Sequence, residues 1–170
     1  LGMFAFAILD RDTGVLTLGR DRLGIKPLYL AETPDRIRFA SALPALLEGG
    51  GVDTSIDRVA LHHYMTFHSV VPAPRTILAG VRKLPPATVR TIRPDGTGEE
   101  HVYWRPEHVR RPQDAGMSAR DWRDAVLESL RVAVRRRMVA DVPVGVLLSG
   151  GLDSSLVVAL LAQEGQVGLK

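Results

Sequence analysis

The sequence predicts two folds in one chain: a strand-rich, antiparallel α+β portion over residues 1–110, then the opening of an α/β portion over residues 111–170. Three observations carry this. Short apolar runs divided by turn residues fill the first forty positions. A stretch rich in Pro, Arg and Asp, from Arg105 to Gly116, breaks that pattern. Beyond it a long amphipathic helix leads into an apolar run that stops at Ser149-Gly150-Gly151.

Each element follows from local chemistry. Met3–Asp10 (MFAFAILD) and the run VLTLGRD flank Asp10-Arg11-Asp12-Thr13-Gly14, a turn signal, and so form a hairpin. LGIKPLYLAE and RIRFAS continue in the same style. After Gly49–Gly51 the spacing becomes helical: Ile56, Val59, Ala60, Tyr64 and Phe67 share a face, with Ser55 placed to cap it. VVPAPRTI is a loop broken by proline, and ATVRTI-RPDGTG-EEHVYW reads as strand, turn, strand. Residues from Ser118 onward give the strongest helix, opened by a Ser118/Asp121 capping box. Its apolar face is expected along Trp122, Val126, Leu130 and Ala133 or Val134. A buried strand over Val144–Leu148, a Ser-Gly-Gly turn and a helix from about Ser154 to Glu164 complete the reading.

Composition sets bounds. The 170 residues carry a formal net charge of +3, 45% hydrophobic residues and 24% charged residues, ordinary for a globular protein. With no cysteine, these residues hold no disulfide, thiolate zinc site or cysteine nucleophile. No apolar run approaches about 18 residues and no signal peptide is visible, so a cytoplasmic location and no membrane partner are expected. The chain opens on Leu1-Gly2 directly into an apolar run and closes on EGQVGLK just after a helix. Both ends therefore read as cuts within a longer protein.

The segment VPVGVLLSGGLDSS (Val142–Ser155) carries the clearest chemistry. A strand delivering a glycine-rich turn into a helix points several free N–H groups at one spot, where the helix dipole adds positive potential. Gly150 and Gly151 lack a Cβ, so a phosphate can reach the backbone, while Ser149, Ser154 and Ser155 offer hydroxyls. Asp153 would repel a polyphosphate unless Mg²⁺ bridges the two. No lysine follows the glycines, which excludes the ATPase P-loop, and Leu147 stands where a hydrolase nucleophile elbow needs glycine. A plain strand–turn–helix capped by Asp153 or Ser154 is the alternative.

Two resemblances meet in this chain. SGGLDSS is similar to the pyrophosphate loop of the PP-loop ATP pyrophosphatases (adenine nucleotide α hydrolase-like fold), and DVPVGVLLSGGLDSS resembles the asparagine synthetase branch. That likeness implies ATP cleaved to AMP and pyrophosphate, with an acyl-adenylate formed on a carboxylate and then attacked by ammonia. It implies that Ser149, Gly150, Gly151, Asp153, Ser154 and Ser155 hold the pyrophosphate and its Mg²⁺, with Asp153 the metal ligand and the backbone of Leu148 beside adenine. GMFAFAILDRDTGVLTLGRDRLGIKPLYL with RFASALPALL resembles the latter part of class II glutamine amidotransferase domains, of the Ntn-type α+β fold. In that family an N-terminal cysteine hydrolyses glutamine, so the nucleophile is expected upstream and no catalytic residue within these 170.

Within the family, GGVDTSIDRVALHHYMTFHSVVPAPRTILAGVRKLPPATV and RRRMVADVPVGVLLSGGLDSSL are most similar to the N-acetylglutaminylglutamine amidotransferase branch, which amidates a capped dipeptide. Ala42 in FASA, where asparagine synthetases usually carry Glu, supports that branch over aspartate as the acceptor. Glutamine, a carboxylate acceptor and a homodimeric copy are the expected partners, with no nucleic acid. Two other classes stay open: a PP-loop tRNA-modifying enzyme, and a non-enzymatic relative keeping the fold. Arg20 and Asp21 read as a pair at a strand end, in a turn shaped by Gly24 and Pro27, rather than as substrate contacts. His62, His63 and His68 lack metal-ligand spacing, and Arg131–Arg137 reads as a solvated helix face.

Overall fold

The computed structural model describes residues 2–164; Leu1 and residues 165–170, on which the reading of cut ends rests, lie outside them. The chain separates into two compact units, Leu1–Glu107 and His108–Lys170.

In the first unit β1 (Ala5–Leu9) and β2 (Leu16–Arg20) form the expected hairpin, with Ala7 opposite Leu18. Asp10 shapes its turn: one carboxylate oxygen accepts the amides of Asp12 at 2.9 Å and Thr13 at 3.3 Å. Gly14, at φ +71°, takes the left-handed step that closes it. β3 (Tyr29–Thr33) and β4 (Arg36–Ala40) make a second hairpin around Pro34-Asp35. β6 (Thr88–Ile92) and β7 (Gly98–Val102) make a third, where the Asp95 carboxylate accepts the Thr97 amide at 2.9 Å. Between them lies β5 (Arg82–Lys83), two residues long.

These strands build two antiparallel sheets, ordered β1-β2-β6-β7 and β4-β3-β5. Leu18 and Ile92 from the first meet Leu28, Leu30 and Leu84 around the second, all at most 5% exposed. Burying each such side chain contributes about 2 kcal/mol. Because side chains alternate along a strand, Ala31 faces the other way and packs with Leu46 and Val81. Leu46 comes from α1 (Leu43–Glu48), which carries Pro44 in its first turn and covers this second face.

α2 (Arg58–Thr66) departs from expectation at its start. Asp57, not Ser55, is the N-cap, accepting the amides of Val59 at 2.8 Å and Ala60 at 3.1 Å. Ile56 instead lies before the helix, in an isolated bridge to Leu78. Of the expected apolar face only Ala60 is buried; Val59, Tyr64 and Phe67 are exposed.

In the second unit a single 3-10 turn (Pro112–Asp114) precedes α3 (Ala119–Arg137). The Ser118/Asp121 capping box is formed in full, each side chain accepting the other residue's amide. The packed face is rotated from the expected one. Leu127, Leu130, Val134 and Met138 meet Leu160 and Leu161 of α4 (Leu152–Gln163), whereas Trp122 and Val126 face solvent. Two apolar stripes share this helix, and α4 selects one. Arg135 forks onto Glu164 at 2.7 and 3.0 Å, so part of the arginine run pairs within the unit.

The expected strand over Val144–Leu148 is corrected. The segment carries no regular secondary structure, with Val144 and Val146 partly buried and Leu147 exposed, and no strand pairs with it among the described residues. Strands exist through ladders, and an apolar run supplies only half of one. No helix of the described residues is long and apolar enough to cross a membrane.

Candidate functional site

The chemistry-bearing loop sits where this irregular segment meets α4. Leu148 is 60% exposed and Ser149 is exposed. Gly150 takes φ +81°, a conformation that disfavours any Cβ, and turns the chain sharply. Gly151 then becomes the N-cap of α4, so the helix begins at Leu152, two residues before the sequence places it.

Neither Asp153 nor Ser154 caps the helix, and no other side chain does. Ser154 turns back instead, its hydroxyl donating to the Gly151 carbonyl at 3.1 Å and lying 3.0 Å from the Ser149 hydroxyl. The Ser149 oxygen in turn accepts the Gly151 amide at 3.4 Å. The two serines therefore brace the turn from both sides. The helix N-terminus, with its dipole and first-turn amides, is left without a side-chain acceptor. A Cβ built on Gly150 would meet nothing within 4 Å, and one on Gly151 only the Ser149 hydroxyl at 3.5 Å, so the space beside both glycines is open. Asp153 and Ser155 are exposed on the first turn. An open, donor-rich turn with one nearby carboxylate has the composition of an anion cradle able to share a divalent cation.

Arg20 and Asp21 form a second constellation, and not the mutual pair the sequence suggests. Asp21 is 1% exposed and accepts four amides: Phe4 at 3.3 Å, Leu23 at 3.1 Å, Ile25 at 3.0 Å and Lys26 at 2.9 Å. Burial opposes its ionisation, but the four donors outweigh that and hold its pKa below the ordinary carboxylate value. Arg20, 7% exposed, donates to the carbonyls of Lys26, Leu84 and Gly24 at 2.8, 2.6 and 2.7 Å. Tyr103 closes the cluster by donating its hydroxyl to the Arg20 carbonyl at 2.9 Å. Each charge is thus satisfied by backbone, and both fix the path of residues 22–26. The adjacent Arg-Asp pair in a Gly/Pro turn was the available signal; the distant partners Leu84 and Tyr103 had none.

His62, His63 and His68 build no metal centre, and among the described residues no group of three or more ligating side chains converges. His63 packs against Phe67, ring centroids 5.6 Å apart.

Comparison with known proteins places these features. The model of the glutamine amidotransferase domain matches residues 1–104. The chain belongs to that family. The model described as asparagine synthase matches residues 125–170, the stretch that carries most of α3, the serine-braced turn and α4. Asparagine synthetase [glutamine-hydrolyzing] 1 of Bacillus subtilis is 40% identical over 169 residues, covering 99% of this chain and 26% of its own length. Asparagine synthetase [glutamine-hydrolyzing] 3 of the same organism is 31% identical, covering 95% of this chain and 25% of its own length. Amidase chry2 of Gibberella zeae is 32% identical over 99% of this chain and 24% of its own length. The chain spans about a quarter of the length of these relatives.

Proposed function

We propose that the full-length protein is a glutamine- and ATP-dependent amide-forming ligase, to which residues 1–110 contribute the latter part of a glutaminase domain and residues 111–170 the start of a PP-loop ATP pyrophosphatase domain. The observation that carries this reading is the order of the two matches, glutamine amidotransferase before asparagine synthase, in one chain. The first class of domain releases ammonia, and the second class consumes it.

The serine-braced turn supports the assignment of roles. The amides after Gly150 and Gly151, with the hydroxyls of Ser149, Ser154 and Ser155, would hold a pyrophosphate group. The Leu148 backbone would lie beside adenine. Asp153, one carboxylate at the mouth of the cradle, suits Mg²⁺, which is held by one or two carboxylates together with substrate phosphates. ATP bound there would supply activation of the acceptor carboxylate. A pyrophosphate leaving group is neutralised as a whole, which accounts for a loop without the lysine that serves γ-phosphoryl transfer.

Two acceptors have specific support. Ala42 in FASA favours a capped dipeptide of the N-acetylglutaminylglutamine type. The names of the relatives favour aspartate, and hence an asparagine synthetase. The working setting in either case would be the cytoplasm, and a homodimer the assembly to look for.

The deciding experiment incubates the full-length protein with glutamine, Mg²⁺, ATP and either N-acetylglutaminylglutamine or aspartate, and follows pyrophosphate release. Release that depends on one acceptor is expected. Asp153→Ala should abolish it while glutamate is still formed from glutamine. No acceptor-dependent release with either compound would sink the ligase reading.

A further inference from the structure

β7 ends at Val102, and the next two residues settle how the chain leaves the first unit. Tyr103 is held twice. Its amide donates to the Ala87 carbonyl and its hydroxyl to the Arg20 carbonyl, both at 2.9 Å. Ala87 in turn donates its own amide to the Asp21 carbonyl at 2.9 Å. Tyr103, Ala87 and the Arg20-Asp21 backbone thus close a ring of three hydrogen bonds. Trp104 follows, half-buried, with the Arg22 guanidinium 5.5 Å from its ring centroid, within cation–π range.

Ala87 shows that this ring is under load. It is 3% exposed and sits at φ +52°, in the left-handed region that a residue with a Cβ avoids. His68 and Ser69 also take positive φ, but they lie exposed in the turn after α2. A strained backbone persists only where its surroundings over-determine it, and both polar backbone groups of Ala87 are engaged in this ring. The Tyr103 phenol is a dependable donor, because burial and the Asp21 charge raise its pKa. From Arg105 to Val109 the situation reverses. All five residues are exposed, and none makes a hydrogen bond or ion pair among the described residues. The boundary between held and free chain therefore falls at Trp104.

We propose that Tyr103 is a positioning residue: by pinning the root of the connecting segment onto the Arg20–Asp21 cluster, it keeps ammonia released by the first domain available to the second. The proposal rests on the ligase reading above. The point from which a tether starts sets how often the domain at its far end returns to a working position. With the hydroxyl bond in place, the segment starts from the buried cluster itself. Without it, Ala87 is free to relax out of its left-handed conformation, and the root peels back toward β7.

Tyr103→Phe in the full-length protein removes the hydroxyl and keeps the ring. The readout is glutamate formed per amide product, with glutamine, Mg²⁺, ATP and acceptor at saturation. That ratio should rise about 5-fold, the shift in a local equilibrium that one neutral hydrogen bond holds back. Amide hydrogen exchange should quicken by a similar factor at Leu23, Ile25 and Lys26, whose amides bond to Asp21, and not within β2. An unchanged ratio, or unchanged exchange at those three amides, overturns the proposal. So does a proportional loss of glutamate and amide together, the mark of a fold that is merely less stable. If the native protein forms no acceptor-dependent amide, the ligase reading falls and this proposal with it.

Discussion

Arg90, on β6 of the four-stranded sheet, forks onto Glu32, on β3 of the three-stranded sheet, with its two terminal nitrogens 2.5 and 2.7 Å from the two carboxylate oxygens. Glu100 lies 3.7 Å away on the neighbouring strand and adds a second negative charge. The pair ties the two sheets together at the rim of the leucine core, with Arg90 only 14% exposed in its side chain. Bidentate geometry and partial burial lift it above an ordinary surface ion pair. Arg90→Ala should lower the unfolding free energy by about 1–2 kcal/mol. A double-mutant cycle with Glu32→Gln, followed by urea denaturation, should show the two changes to be non-additive.

Asp21 gives a sharper case. Asp21→Ala strands four amides around a buried side chain, at a cost of about 3 kcal/mol or more. Asp21→Asn keeps the volume but replaces one acceptor oxygen by a donor, so it should recover little. Thermal unfolding of the two variants beside the native protein is the measurement; near-native stability for Asp21→Asn would show that charge and acceptor count are irrelevant there.

The same carboxylate sets an acid limit. Its folded pKa lies below the ordinary 3.8, and that of Glu32 below 4.5, where the Arg90 hydrogen bond outweighs burial. A depressed folded pKa means stability that is fully present above the unfolded value and lost as pH falls through the folded one. Unfolding free energy should thus be flat in its Asp21 and Glu32 contributions above about pH 5.5. It should fall as the pH drops below 4.5 and then 3.8. The fall should be shallower in Asp21→Asn than in the native protein.

Gly19 is a contact site as much as a backbone one. A Cβ there would sit 2.3 Å from the tip of the ring of Phe6, the residue opposite Gly19 on β1. Gly19→Val must therefore expel that ring, with a loss of about 2–3 kcal/mol from the displaced aromatic. Phe6→Ala in the Gly19→Val background should cost far less than Phe6→Ala alone.

Helix α3 offers a small, local test. Removing the Ser118 cap by Ser118→Ala should destabilise by about 1 kcal/mol. Ser118→Thr should keep most of the native stability, because Thr also caps and keeps the hydroxyl that donates to Asp121 at 2.7 Å. Circular dichroism of thermal unfolding is sufficient to rank the three.

The elements legible in the sequence are those encoded within a few residues. Asp10–Gly14 and Pro94-Asp95-Gly96 announce their hairpins because turn chemistry is local, and Ser118/Asp121 announces a capping box for the same reason. α1 and β5 escape notice because six residues and two residues are too short to show a period. The pairing of β2 with β6, some seventy residues apart, has no local signature at all. Helical spacing in α2 and α3 located the helices but not their buried faces, since packing partners rather than periodicity decide which apolar stripe is covered. In the glycine turn, the residue types were legible, while the bracing of Ser149 against Ser154 and the cap at Gly151 depend on a φ of +81° that composition only permits.

The Arg20–Asp21 cluster has one more consequence. Both side chains grip the following turn by its main chain alone: amides of residues 23, 25 and 26, carbonyls of residues 24 and 26. The path of that turn is therefore held by two side chains together with Gly24 at φ +65°, and the side chains of Leu23, Ile25 and Lys26 make none of these bonds. Those three positions can drift, be recoded or be repurposed across descendants of this chain while the path beneath them stays put.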